Sequence, residues 1–178
     1  MLRNDSYSGW YRCHICVEGF ILRKKSHLSL AGYIVDVVDA DMIDHPLAFR
    51  FGSLEPDLVP TFITTKHRID LTFHKLEKKI NKVIDEYDKN KGMTIGLSKD
   101  LGIITHYIAD YFTFPHNIEY PGTMTEHIHY EAQLKVDFRE FVQKMKEKHA
   151  HFQEVNMQSA DEICTFIRKR HEEYLHAV

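Results

Sequence analysis

Between Leu101 and Glu131 the chain carries two pairs of side chains able to hold a cation: His106 with Asp110, and His127 with Glu131. Both pairs are spaced i, i+4, which on a helix puts the two groups on one face, one turn apart. Zn²⁺ takes imidazole nitrogen and carboxylate oxygen at roughly 2.0–2.2 Å, so such a clamp suits it. His116 falls between the pairs, directly after Pro115, where the first helix should have ended. An isolated His/Asp pair at this spacing is usually a surface hydrogen bond, so its surroundings decide. Here Leu101, Ile103, Ile104, Tyr107, Ile108, Tyr111 and Phe112 make the first helix apolar nearly all round, the pattern of a buried helix. A buried imidazole and carboxylate need partners, and a bound cation satisfies both.

The elements that must position these groups are helical. Ser26 is a suitable N-cap for a helix with Leu28, Ala31, Ile34, Val35, Val38 and Met42 on one stripe, and His27 in its first turn. Asp44-His45-Pro46 should end it, because proline disfavours helix for the residue before it. Leu47 to Leu54 reads as one or two helical turns, and Gly52-Ser53-Leu54-Glu55-Pro56-Asp57 as a loop. Lys66 to Asn90 is the clearest amphipathic helix, with Ile69, Phe73, Leu76, Ile80, Val83 and Tyr87 on its apolar face and His67 at its start. Gly92 is its expected stop, and Ser98 the expected cap of the buried helix that follows.

Thr123–Glu126 and Ser159–Glu162 have capping-box form. The first opens a long helix to about Lys148 with Leu134, Phe138, Phe141 and Met145 apolar; the second opens a last helix with Ile163, Ile167 and Tyr174. No sustained alternation demands a sheet. The expected fold is all-α: five main helices in one bundle over residues 26–178, behind an irregular extension at 1–25, with a metal cluster in a cleft between helices.

Composition narrows the function. Twenty-three basic against 26 acidic residues give a net charge of −3, which is no basic surface for nucleic acid. Thirteen histidines are many for 178 residues and suit a metal protein. No apolar run approaches the ~20 residues of a transmembrane span. The polar start, with Arg23-Lys24-Lys25 after the short apolar run instead of before it, lacks the form of a secretory leader, and a cytoplasmic location is expected. Cys13, Cys16 and Cys164 are an odd count and give no disulfide framework; Cys13-His14-Ile15-Cys16 has no second such motif and reads as chance.

In chain order the candidate ligands are His27, Asp57, His67, His106, Asp110, His116, His127 and Glu131. His74, seven residues after His67, competes for that place, and the local sequence Lys66-His67-Arg68 favours His67. The pattern H-x-x-x-D, then a histidine six residues later, then H-x-x-x-E resembles the zinc-dependent phospholipase C family, itself related to the S1/P1 nucleases. Ser26-His27, the Gly-Ser-Leu-Glu-Pro-Asp57 stretch and Lys66-His67-Arg68 add looser matches over roughly residues 25–135. The resemblance implies two or three zinc ions. One takes Asp57, His67, His106 and Asp110; a second takes His116, His127 and Glu131; a third takes His27 and shares Asp110. In the family that third ion also uses an N-terminal tryptophan. The only tryptophan here is Trp10, seventeen residues before His27, which leaves the third site incomplete, built from other ligands, or empty.

What the resemblance implies for activity is hydrolysis of a small phosphodiester or a phospholipid at its head group, with Asp57 orienting or deprotonating the attacking water. The membrane-binding second domain of toxin members has no counterpart in this chain. Two rivals stand beside this expectation: a nuclease of the S1/P1 type, against which Glu131 weighs because aspartate is more usual there, and a helical metal-binding protein without turnover. Tyr107, Tyr111 and Phe112 are read as core, His129 as facing away from His127, and His14, His45, His149, His151, His171 and His176 as solvated.

Overall fold

One helix, Ile95–Tyr111, forms the centre, with Pro46–Gly52 and Ile69–Glu86 packed most extensively against it. The structure is a computed structural model, described over residues 25–38, 42–59, 66–147 and 156–178. In chain order the helices are α1 (25–37), α2 (Pro46–Gly52), α3 (Glu55–Leu58), α4 (Ile69–Glu86), α5 (Ile95–Tyr111), a 3₁₀ turn at Phe114–His116, α6 (Met124–Glu147) and α7 (Ala160–Leu175). The fold is all-α; the only β-type pairing among the described residues is an isolated bridge between Asp88 and Gly92. No described helix is long and apolar enough to cross a membrane. Of the irregular extension expected at 1–25, residues 1–24, with Cys13, Cys16 and Trp10, lie outside the described residues, as do His149 and His151, while residue 25 is already helical.

Three local expectations are corrected. Pro46 does not close the first helix, which ends at residue 37 and leaves Met42 off its stripe; it opens α2, where its missing N–H costs nothing. The stretch before Asp57 is not a plain loop, because Glu55–Leu58 makes one helical turn with proline again at its start. Ser98 is not the cap of α5. Thr94, one turn earlier and extended, accepts from the Leu97 N–H at 3.2 Å, and Ser98 is fully buried inside the helix. Gly92 lies beyond the end of α4 at Glu86, in a turn where its φ of 72° is one that L side chains rarely adopt. Both expected capping boxes form: Thr123 and Glu126 satisfy each other's backbone N–H groups, and Ser159 accepts from the Glu162 N–H.

The main core joins α4, α5 and α7. Phe73, Leu76 and Ile80 meet Ile103, Ile104, Tyr107 and Tyr111, with Cys164 and Ile167 behind. Leu76 is fully buried, so truncating it to alanine should cost roughly 2–5 kcal/mol. On the other side α2 crosses α5 at backbone contact. A Cβ on Gly102 would lie 2.1 Å from the Phe49 carbonyl oxygen, and one on Gly52 would lie 2.0 Å from that of Lys99. No residue but glycine fits at either point. Lys79 and Lys82 of α4 pin Asp100 of α5 at 2.5 and 2.7 Å. The centre of α5 is therefore fixed from both sides, and it carries His106 and Asp110.

Candidate metal centre

All eight candidate ligands meet on the Asp110 face of α5. His27 comes from the first described turn of α1, Asp57 from α3, and His67 from just before α4. His106 and Asp110 lie one turn apart on α5, His116 ends the 3₁₀ turn, and His127 and Glu131 occupy the first two turns of α6. Seven of the eight are buried, and the His127 side chain is 12% exposed. The competitor His74 is exposed on α4, which removes it.

Three atoms form the tightest group. His67 Nδ1 is 2.9 Å from Asp110 Oδ2 and 3.0 Å from His106 Nε2, and the last two are 3.2 Å apart. Asp57 Oδ1 stands 3.8 Å from His67 Nδ1 and 3.9 Å from His106 Nε2. Donors 2.0–2.1 Å from a tetrahedral ion are roughly 3.3–3.4 Å apart, so the three atoms of His67, His106 and Asp110 are close to the separations of a zinc ligand set, and Asp57 groups with His27 and His106. A second group lies along α6: Glu131 Oε1 is 2.8 Å from His127 Nε2 and 3.3 Å from His116 Nε2. Asp110 joins the groups. Its Oδ1 faces His27 Nε2 at 3.2 Å, while Oδ2 faces His67 and His106 and lies 3.7 Å from His116 Nδ1. The His27 ring stacks on His106 with centroids 3.9 Å apart.

Electrostatics match this crowding. Burial pushes the Asp110 carboxyl up, but His116, His106 and His27 outweigh it and hold the group well below the usual carboxylate range. Burial pulls His106 down, yet Asp110, Asp57 and the Ser53 carbonyl bring it above its ordinary value. His27 goes the other way, lowered by burial and then by His106. Asp110 is thus held as the anion a cation needs. Asp57 Oδ2 is buried and finds no hydrogen-bond partner among the described residues, an expensive state unless a cation or water meets it. The N/O donor set, the separations and this orphaned oxygen fit zinc.

Three supporting groups were not singled out from the sequence. Ser53 offers its carbonyl to His106 Nδ1 at 2.9 Å. Asn117, next to His116, donates from Nδ2 to the carbonyls of Tyr111 and Thr113 at 3.0 and 3.1 Å, clamping the turn after α5. His171 of α7 donates from Nε2 to Asn117 Oδ1 at 2.8 Å. It is buried and not solvated as expected. The signal was there: His171 continues the Cys164, Ile167 stripe at helical spacing. Tyr107 and Tyr111 are core as expected, whereas Phe112 both packs on the core and lines a cavity of about 220 Å³ beside the ligands.

An all-α protein with five histidines and three carboxylates gathered on one helix face has the form of a metallohydrolase. The family description "zinc dependent phospholipase C" matches residues 26–178, and the chain belongs to that family. It matches no curated protein and no solved structure.

Proposed function

We propose that this protein is a zinc-dependent, phospholipase C-like hydrolase of phosphodiesters. Asp57, His67, His106 and Asp110 hold one ion, and His116, His127 and Glu131 a second. His27 and the outer oxygen of Asp110 offer ligands to a third. The observation that carries this is the carboxylate of Asp110, which turns one oxygen to His27 and the other to His67 and His106, so that one side chain serves adjacent sites.

Zinc bound there would supply Lewis acidity to a phosphoryl oxygen and make water acidic enough to ionise near pH 7. The protein's part is to hold the donors rigid and exclude solvent. His106 is oriented by Ser53, and His116 by the turn that Asn117 clamps. Asp57 Oδ1 faces the histidines while Oδ2, buried and without a hydrogen-bond partner among the described residues, is the acceptor for a proton from the attacking water. The apolar cavity beside the ligands supports an amphiphilic substrate over a nucleotide.

The test is hydrolysis by the zinc-loaded full chain of dihexanoyl-phosphatidylcholine beside single-stranded DNA. Release of a phosphorylated head group is expected. Cleavage of DNA alone would replace the substrate, and turnover of neither at any zinc loading would leave a metal-binding protein without this activity.

A further inference from the structure

We infer that the cavity beside the ligand cluster binds an amphiphile with a second anionic group, and that Lys135 is the countercharge for that group. This rests on the function proposed above and specifies its substrate. The cavity lies between α1, α5 and α6, and Asp110, His116 and Glu131 are among the residues that line it. Leu30, Ala109, Phe112, Leu134 and Phe138 make the walls apolar, and Lys135 is the cation among its lining residues. At about 220 Å³ it is smaller than the roughly 300–1,000 Å³ of sites for drug-sized ligands, and suits a short alkyl stem.

Lys135 lies four residues after Glu131 on α6, so the two stand on one face with Cβ atoms roughly 5–6 Å apart. It is partly buried, and no described carboxylate forms an ion pair with it. Burial lowers its ammonium pKa, and the like charges of Arg139 and Lys25 lower it further. A partly buried cation with like charges nearby gains from an anion that meets it. The scissile phosphoryl group belongs at the zinc ligands, so the anion at Lys135 is a different one. A choline head would bring a cation towards Lys25, Lys135 and Arg139. Away from the ligand cluster a nucleobase would meet mostly apolar walls, with Ser26, Thr113 and Lys135 as the polar side chains. The observations favour an anionic phospholipid, whose head group carries charge beyond the phosphodiester.

The measurement is equilibrium binding by calorimetry to the zinc-loaded full chain, below the micelle concentration. The probes are dihexanoyl lipid analogues in which a methylene replaces the scissile bridging oxygen, so no turnover intervenes. One carries a serine head and one a choline head; a thymidine dinucleotide is the third probe. The serine analogue should bind about tenfold more tightly than the choline analogue, the scale of one partly desolvated ion pair. Lys135→Met should remove that preference and Lys135→Glu reverse it, with zinc content and circular dichroism unchanged. Equal binding of the two lipids by the wild type, a preference that survives both substitutions, tighter binding of the dinucleotide, or no binding of either lipid would overturn the inference. Turnover of bis(p-nitrophenyl) phosphate, read in parallel, reports separately whether the hydrolase assignment stands.

Discussion

The carbonyl oxygen of Ser53 accepts a hydrogen bond from His106 Nδ1 at 2.9 Å. A carbonyl can only accept, so Nδ1 carries a proton, which leaves Nε2, on the side of Asp110 and His67, as the nitrogen a cation would take. That carbonyl is in reach because α2 and α5 touch through their backbones at Gly102. The ligand's tautomer therefore depends on a glycine one turn away.

Gly102→Ala should force the two helices apart and cost at least about 1–3 kcal/mol, the range for overpacking. Its zinc affinity should fall as well, because the Ser53 carbonyl moves with α2. Gly96→Ala is the control: its new Cβ would meet nothing nearer than 3.8 Å, and alanine favours helix by up to about 1 kcal/mol. Thermal unfolding in chelator, followed by zinc titration, checks both. Equal melting temperatures for the two variants would contradict the close-contact explanation.

Asp110→Asn should do more harm than His116→Ala. It removes a negative charge that faces three histidines beyond its helix partner His106, whereas His116→Ala weakens the α6 group first. Loss of an outer-shell partner commonly costs 10–100-fold in metal affinity or activity, and losing a shared ligand should exceed roughly 100-fold in turnover. Metal content and kcat measured together decide it; a milder effect of Asp110→Asn would mean the carboxylate serves one ion only.

The sequence displayed the candidate ligands because metal-binding spacings are local: His106–Asp110 and His127–Glu131 need only a helix to bring each pair onto one face. Helix periods and two capping boxes were local too. What was hidden depends on contacts distant in sequence. Ser98 and Thr94 are both cap residues by type, and only burial separates them. The role of Gly102 appears once Phe49 lies against it, and that of Asn117 once His171, fifty-four residues on, reaches its side chain.

His171→Ala should leave Asn117 Oδ1 buried without its donor, a cost of roughly 1–3 kcal/mol. The turn carrying His116 should loosen. Zinc at His116, His127 and Glu131 should then weaken by about 10–100-fold, while the group around His67 and His106 keeps its ion. Competition with a graded chelator separates the two. Unchanged occupancy of both would show that Asn117 braces the fold without orienting the ligand.

Asp100 gives a pH dependence away from the metals. Burial raises its carboxyl, but hydrogen bonds from Lys79 and then Lys82 overcome this and lower it below the ordinary value. A carboxyl lowered in the folded state adds stability above its unfolded pKa of about 3.9 and loses it as pH falls through the folded value. Both lysines are partly exposed, so the contribution is modest, about 1 kcal/mol. Asp100→Asn should lower the melting temperature at pH 7, and the gap to the wild type should begin to shrink below about pH 4 and keep shrinking as the pH falls. A gap that stays constant as the pH is lowered from 7 to 2 would mean packing, and not charge, is what Asp100 supplies.

The most direct test is the zinc content of the purified full chain by inductively coupled plasma mass spectrometry, during titration with a mild chelator. At least two zinc ions per chain are expected, with any third ion, at His27 and Asp110, leaving first. Less than one ion per chain after reconstitution with excess zinc would contradict the assignment of these eight residues as a metal centre.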